Sequence, residues 1–223
     1  MEVLVLVSTG LKMCGTITIM RKPSTTILFI SAGLFHPSTA ARRSAAFLLK
    51  GYAVRRGYLF ERSSALHLES LNTVNPELAV LYFHRKAVNR KALENLSEYL
   101  QNGGKVLYLH SISASWKASL QVKELVGGVF SSHGDVAPIT MESMNLESCK
   151  TGQFTITDEL YRHETEEGLQ IVLQSKGDGS SLPLAWIKGK TANIACGHLK
   201  SVWTVPEIQG LVFSVADRLL KEH

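Results

Sequence analysis

The sequence predicts an α/β domain of three layers, α/β/α, with helices on both faces of a mainly parallel sheet. Short, nearly continuous apolar runs recur at Thr26 to Ile30, Leu78 to Phe83 and Lys105 to His110, the pattern of strands buried on both faces. Segments with helical spacing lie between them, joined by short turns, and this β-α-β order implies right-handed crossovers. The 223 residues, 45% hydrophobic and 19% charged, are enough for one sizeable core.

The elements follow in order. The first run ends at Ser31-Ala32-Gly33, and Ser38 is the expected N-cap of a helix. Ala45, Ala46, Leu48 and Leu49 form the buried side of that helix, and Gly51 is its expected break. Tyr52 to Phe60 is the expected second strand. After Leu78 to Phe83, Asn89 is placed to cap a helix with Leu93, Leu96 and Leu100 as its stripe. Asn102-Gly103-Gly104 stops this helix. The second half is richer in short strands, expected to add antiparallel pairings to the sheet: Ile139 to Met141, Gln153 to Ile156, Gln170 to Gln174, Pro183 to Ile187 and Thr191 to Cys196. Lys188-Gly189-Lys190 reads as a hairpin turn, and a helix over roughly Val205 to Leu220 closes the domain. Two β-like stretches, Val3 to Val7 and Thr16 to Met20, read as an N-terminal extension over residues 1–24, ahead of a domain over 25–223.

Several function classes fall away. Twenty-four Lys and Arg stand against nineteen Asp and Glu, and the basic residues come as scattered doublets without interleaved aromatics. Nucleic-acid binding is not expected. No apolar run reaches the roughly 20 residues of a membrane span, and Val3 to Val7 is too short for a signal-peptide core. A cytoplasmic protein without membrane contact is expected. Cys14, Cys149 and Cys196 form no CxxC pair, so reduced thiols are expected, Cys196 in the core. Gly127-Gly128 follows a helix instead of opening one, and no Walker loop is present, so no nucleotide cofactor is expected.

Three patches resemble the ThuA-like (trehalose utilisation) family of the class I glutamine amidotransferase-like superfamily. The first is Asn102-Gly103-Gly104-Lys105-Val106-Leu107-Tyr108-Leu109-His110-Ser111, followed by Trp116, by Glu124 to Phe130 and by His133. The second is Ile156-Thr157-Asp158-Glu159-Leu160-Tyr161. The third is Pro183-Leu184-Ala185-Trp186, then Cys196-Gly197-His198, Trp203 and Pro206. The resemblance implies a flavodoxin-like outline and a protein of carbohydrate metabolism acting on trehalose, keto-sugars or glycosides. Where that family has a Gly-Lys-Gly-Arg type of turn, this chain has Lys188-Gly189-Lys190. Related amidotransferases carry a nucleophilic cysteine on the elbow after the central strand. Here that position delivers His110 and then Ser111, so glutaminase chemistry is not expected.

Open parallel sheets bind ligands beyond the carboxyl ends of their strands. His36 and His110 lie just past two such ends, His198 follows the run ending at Cys196, and His133 sits in a glycine-flanked loop. These imidazoles, with Asp158 or Glu159, suit two tasks. They can ligate a divalent metal, or exchange protons with a sugar hydroxyl or carbonyl; packing alone is the third reading of each. His110, Glu159 and His198 are the candidate catalytic residues. His36, Ser111, Tyr161 and Trp203 are candidates to contact a sugar ligand, and His110, His133 and His198 to hold a metal. Asp158 has a second reading as the cap of a short turn. Trp186 is expected in the core, while Trp116 is a further candidate to stack on sugar rings. His67, His84 and His163 read as surface or packing residues, and His223 is terminal. A non-catalytic small-molecule-binding or assembly module is the alternative function, and a homo-oligomer is left open.

Overall fold

The computed structural model describes residues 25–33, 36–64, 68–85, 89–115, 120–144, 146, 152–177 and 181–221. The expected extension over residues 1–24, Cys14, His67, Trp116, Cys149 and His223 lie outside the described residues.

Among the described residues, nine strands form one sheet. They are β1 (Thr26–Ser31), β2 (Leu59–Ser63), β3 (Leu78–Tyr82), β4 (Val106–Leu109), β5 (Gly128–Ser143), β6 (Gly152–Thr165), β7 (Gln170–Ser175), β8 (Pro183–Lys188) and β9 (Thr191–Ile194). Five α-helices accompany them: α1 (Thr39–Arg56), α2 (Glu69–Val74), α3 (Arg90–Gln101), α4 (Leu120–Val126) and α5 (Pro206–Lys221). The strand order is β2-β1-β3-β4-β9-β8-β7-β5-β6.

The sheet is mixed, which corrects the expectation of a mainly parallel one. The half from β2 to β9 is parallel, and every pairing from β9 to β6 is antiparallel. Connection length explains the division. Helices α1, α2 and α3 supply the long crossovers that parallel neighbours need. Only Gly189 and Lys190 join β8 to β9, as the Lys188-Gly189-Lys190 turn predicts, and a two-residue link permits antiparallel pairing alone.

Alternating residues of the central strands feed two cores. Ile27, Phe29, Leu78, Val80 and Tyr82 pack with α1 and α5, while Leu28, Ile30, Ala79, Leu81 and Phe83 pack with α2, α3 and α4. The helices thus flank the sheet on both sides, giving the three layers. Ser38 and Asn89 cap α1 and α3 as expected, each accepting a backbone N–H at 3.1 Å. Gly51 does not break α1, which runs on to a left-handed Gly57; the second strand is accordingly the shorter β2. At the end of α3, a side chain at Gly104 would enter the Tyr99 ring, so this stop depends on a residue without Cβ.

The largest departure lies in the second half. The short strands expected at Ile139 to Met141 and Gln153 to Ile156 are the ends of a long ribbon, β5 with 16 residues and β6 with 14. Beyond Met141–Ser143, where it pairs with β7, β5 pairs with no strand but β6 among the described residues, and register shifts occur at Phe130/Ser132 and His133/Val136. Such bulges bend a ribbon and re-aim its side chains. The ribbon brings Tyr161 against Ala114 and Ala195, beside the carboxyl ends of β4 and β9.

Candidate functional site

The centre of the site is the turn after β4. Val106 to Leu109 are fully buried, and the chain then reverses through a 3₁₀ turn at His110–Ile112. His110 has φ 46°, the left-handed region uncommon for a residue with a Cβ. Non-glycine residues held there cluster at functional sites. A sharp turn therefore stands at the carboxyl end of β4, with an imidazole on it.

His110 is fully buried, and its Nδ1 lies 2.8 Å from the Ala195 carbonyl. A carbonyl only accepts, so Nδ1 carries the proton and donates. Burial holds the ring well below its ordinary pKa, so it is neutral and Nε2 keeps its lone pair. That Nε2 lies 3.3 Å from the Tyr161 hydroxyl, which is also 3.3 Å from His36 Nε2. With a single proton, Tyr161 can donate to only one of the two.

His36 reaches the site from the loop after β1. Gly33 shapes this loop: its φ is 112°, and a Cβ there would lie 2.8 Å from the His36 carbonyl oxygen. Burial, aided by the neighbouring imidazoles of His198, His84 and His133, pushes His36 down to about 4. The ring centroids of His36, His110 and His198 lie 5.2–5.5 Å apart. One ligand atom from each of the three falls within 4.8 Å of the others.

His198 is set by its backbone. Asp158, fully buried on β6, accepts from the Gly197 N–H at 2.6 Å and the His198 N–H at 3.0 Å. Desolvation raises its carboxyl to about 6, against the pull of those amides. The Tyr82 hydroxyl donates to the Gly197 carbonyl from the other side. Gly197 has φ 127°, and a Cβ there would lie 2.4 Å from the Trp203 ring. Asp158 thus lies within a strand, which corrects its reading as a turn cap.

Glu159 lies among three imidazoles. Its Oε2 is 3.2 Å from His198 Nδ1 and 3.9 Å from His110 Nε2, while Oε1 is 3.9 Å from His133 Nδ1. Glu159 Oε2 and His198 Nδ1 are both buried, yet neither makes a hydrogen bond. Buried polar atoms left this way are costly and rare, and two of them face each other here.

Of the candidates named from sequence, the fold brings together His36, His110, Glu159, Tyr161 and His198. His133 stands at the margin. It lies in β5 and not in a loop, its ring stacks on Tyr161 at 5.6 Å, and its Nδ1 donates to the Gly134 carbonyl at 2.8 Å. Ser111 does not open onto the site; it is fully buried and its hydroxyl donates to the Phe83 carbonyl at 3.0 Å. Trp203 is 2% exposed and packs against Tyr82 and Gly197, a core position where ligand contact was expected. Trp186 is in the core as expected, its Nε1 donating to the Val126 carbonyl at 2.7 Å.

Three positions outside the named catalytic and ligand-contact candidates shape the surroundings of the cluster. Asp158 orients the His198 loop. His84 sits edge-on to His36 at 5.4 Å. His163 packs on Trp186 and lies 2.9 Å from Ser113 Oγ, whose proton goes to the His110 carbonyl. The signal for Asp158 was present: Phe154, Ile156 and Asp158 share one strand face at period two. A separate cleft of about 500 Å³ opens on α1, lined by Arg43, Phe47, Arg55 and Trp203 among others. It has no imidazole or carboxylate, so it offers neither proton transfer nor a metal donor.

The model of the trehalose-utilisation family, ThuA, matches residues 42–214. The chain belongs to the ThuA family. Among solved structures, this ThuA-family chain is similar to a ThuA-like protein from Bacteroides uniformis, with TM-score 0.71, 15% identity, and 92% of this chain and 95% of that one covered. A ThuA-like protein from Parabacteroides merdae gives TM-score 0.69 and 15% identity over 89% and 90% of the two chains. An alpha-L-fucosidase isoenzyme 2 from Paenibacillus thiaminolyticus gives TM-score 0.64 and 14% identity, over 87% of this chain and 33% of that larger one. At these identities the likeness establishes a shared fold. No curated protein matches the chain in sequence. No helix among the described residues is long and apolar enough to cross a membrane.

Proposed function

We propose that this ThuA-family protein is an enzyme that binds a carbohydrate, trehalose or a keto-disaccharide or glycoside, in the imidazole pocket. The convergence of Glu159 with His110 and His198 on the turn after β4 carries the reading. A sugar presents many hydroxyls of both donor and acceptor character, and this pocket offers lone pairs, N–H groups and a carboxylate within a few ångströms. Glu159 Oε2, lacking a hydrogen bond, is the group to take a proton from a substrate hydroxyl. His198, partly exposed beside it, is the group to pass a proton on. His36 and Tyr161 hold substrate oxygens.

Thioester chemistry has no support here, because the elbow residue is His110. Cys196 is buried, and desolvation drives its thiol pKa up. A free thiol in the core also suits the cytoplasmic location expected from composition.

The test is calorimetric titration with trehalose, a keto-disaccharide and an aryl glycoside, with product formation followed by NMR. At least one sugar is expected to bind and be converted. Glu159→Gln is expected to lower turnover about 100-fold while leaving affinity within about threefold. Failure of all three sugars to bind would overturn the reading; binding without conversion would replace it with the non-catalytic module.

A further inference from the structure

We infer that His36, His110 and His198 form a three-imidazole site for a borderline divalent transition metal ion of the zinc type, with Glu159 beside it. This concerns the same pocket as the sugar reading but does not rest on it.

Four observations point the same way. First, one ligand atom from each ring lies within 4.8 Å of the other two. Tetrahedral ligation at about 2.0–2.1 Å places nitrogens roughly 3.4 Å apart, so ring rotations of about an ångström close the shell. Second, His110 is held as a metal-ligating histidine is held: Nδ1–H donates to the Ala195 carbonyl at 2.8 Å, which fixes the tautomer and aims the Nε2 lone pair into the pocket. Third, Glu159 Oε2 lies 3.2 Å from His198 Nδ1 and 3.9 Å from His110 Nε2, which puts a carboxylate at the edge of the three rings. Fourth, the ring centroids of the three imidazoles lie 5.2–5.5 Å from one another, so no ring stands apart from the cluster.

The donor set selects the metal class. Imidazole nitrogens favour zinc and its first-row neighbours, whereas magnesium and calcium take oxygen shells. Three imidazoles also leave a fourth position, which Glu159, water or a substrate oxygen can fill. His133 is not part of this site. Its Nδ1 is committed to the Gly134 carbonyl and its side chain is 46% exposed, so His36 takes the place that sequence gave to His133.

The experiment is titration of chelator-treated, untagged protein with Zn²⁺ by calorimetry and with Co²⁺ by visible absorption. One equivalent is expected, with the intense d–d bands of tetrahedral Co²⁺. His36→Ala and His198→Ala, both in partly exposed positions that leave the cores intact, are expected to weaken Zn²⁺ binding by about 100-fold or more, beyond a typical outer-shell loss. His133→Ala is expected to stay within threefold. No uptake by folded wild-type protein would overturn the inference. So would uptake that both His36→Ala and His198→Ala leave unchanged, since the ion would then sit elsewhere. Sugar binding without metal uptake overturns this inference alone, and metal uptake without sugar binding overturns only the carbohydrate reading.

Discussion

The Asp158 carboxylate holds His198 by its backbone and not by its ring: Oδ1 accepts the His198 N–H at 3.0 Å while Oδ2 takes the Gly197 N–H at 2.6 Å. A buried strand residue thereby sets the path of a loop 40 residues further on and leaves the His198 imidazole free for the pocket.

Removal of that carboxylate strands two N–H groups. Asp158→Ala is expected to destabilise the fold by about 1–3 kcal/mol, the cost of unpaired buried donors, as measured by urea unfolding. Asp158→Asn, which keeps one acceptor oxygen, is expected to lose less. A variant Asp158→Ala as stable as the parent would remove Asp158 from this role.

Gly197→Ala tests the same loop from the other side. The backbone there has φ 127°, and the new methyl would meet the Trp203 ring at 2.4 Å. Strain of this kind costs about 1–3 kcal/mol before the clash is counted. A thermal melt is expected to fall accordingly, and an unchanged melting temperature would contradict the packing described.

Trp203 separates a core role from a ligand role. Trp203→Ala is expected to cost about 3–5 kcal/mol of stability, whereas Trp203→Phe is expected to retain most of the stability and all of the sugar affinity. A residue stacking on a sugar would behave the opposite way, losing affinity in the phenylalanine variant at little cost in stability.

His163 supplies a pH dependence. Desolvation puts its folded-state pKa at about 4, against 6.5 in the unfolded chain. Between those values the unfolded state binds a proton that the folded state does not, so stability is full above about 6.5 and declines as pH falls toward 4. The expected loss is up to about 3 kcal/mol. Its ring neighbours Trp186, Phe130 and Tyr161 carry no charge to offset this. Asp158, raised to about 6, works in the opposite sense over part of this window, so the quantity to measure is the difference from His163→Gln. The variant's stability curve is expected to be flatter from pH 6.5 to 4; parallel curves would mean that His163 is not buried neutral.

The parallel half of the sheet was legible because its strands are covered on both faces. Ile27 to Ile30, Leu78 to Phe83 and Val106 to Leu109 each need apolar side chains in both directions. The β5–β6 ribbon was not, because it exposes one face: Ser131, Ser132 and Asp135 interrupt any apolar pattern, and bulges break the alternation on which strand reading depends. The same contrast governs the site. His110 announced itself at the end of an apolar run, while Asp158 lies in the ribbon, where its carboxylate reads as a partner of the imidazoles or as the cap of a short turn until its amide partners are known. Trp203 misled because the stretch after His198 has the composition of a loop, yet folds into a 3₁₀ turn (Lys200–Thr204) against the core.

The bond between His110 and Ala195 joins residues 85 positions apart, and it lies at the seam where β4 meets β9. Contacts of such sequence separation carry a large loop-closure cost and are slow to establish. A chain that has formed its first four strands but has not yet zipped β9 into place has no pocket at all: the imidazole on the elbow lacks the carbonyl that orients it, and His198 has not arrived. A molecule in which β9 is unpaired from β4 therefore lacks the assembled imidazole cluster, whatever the rest of its sheet retains.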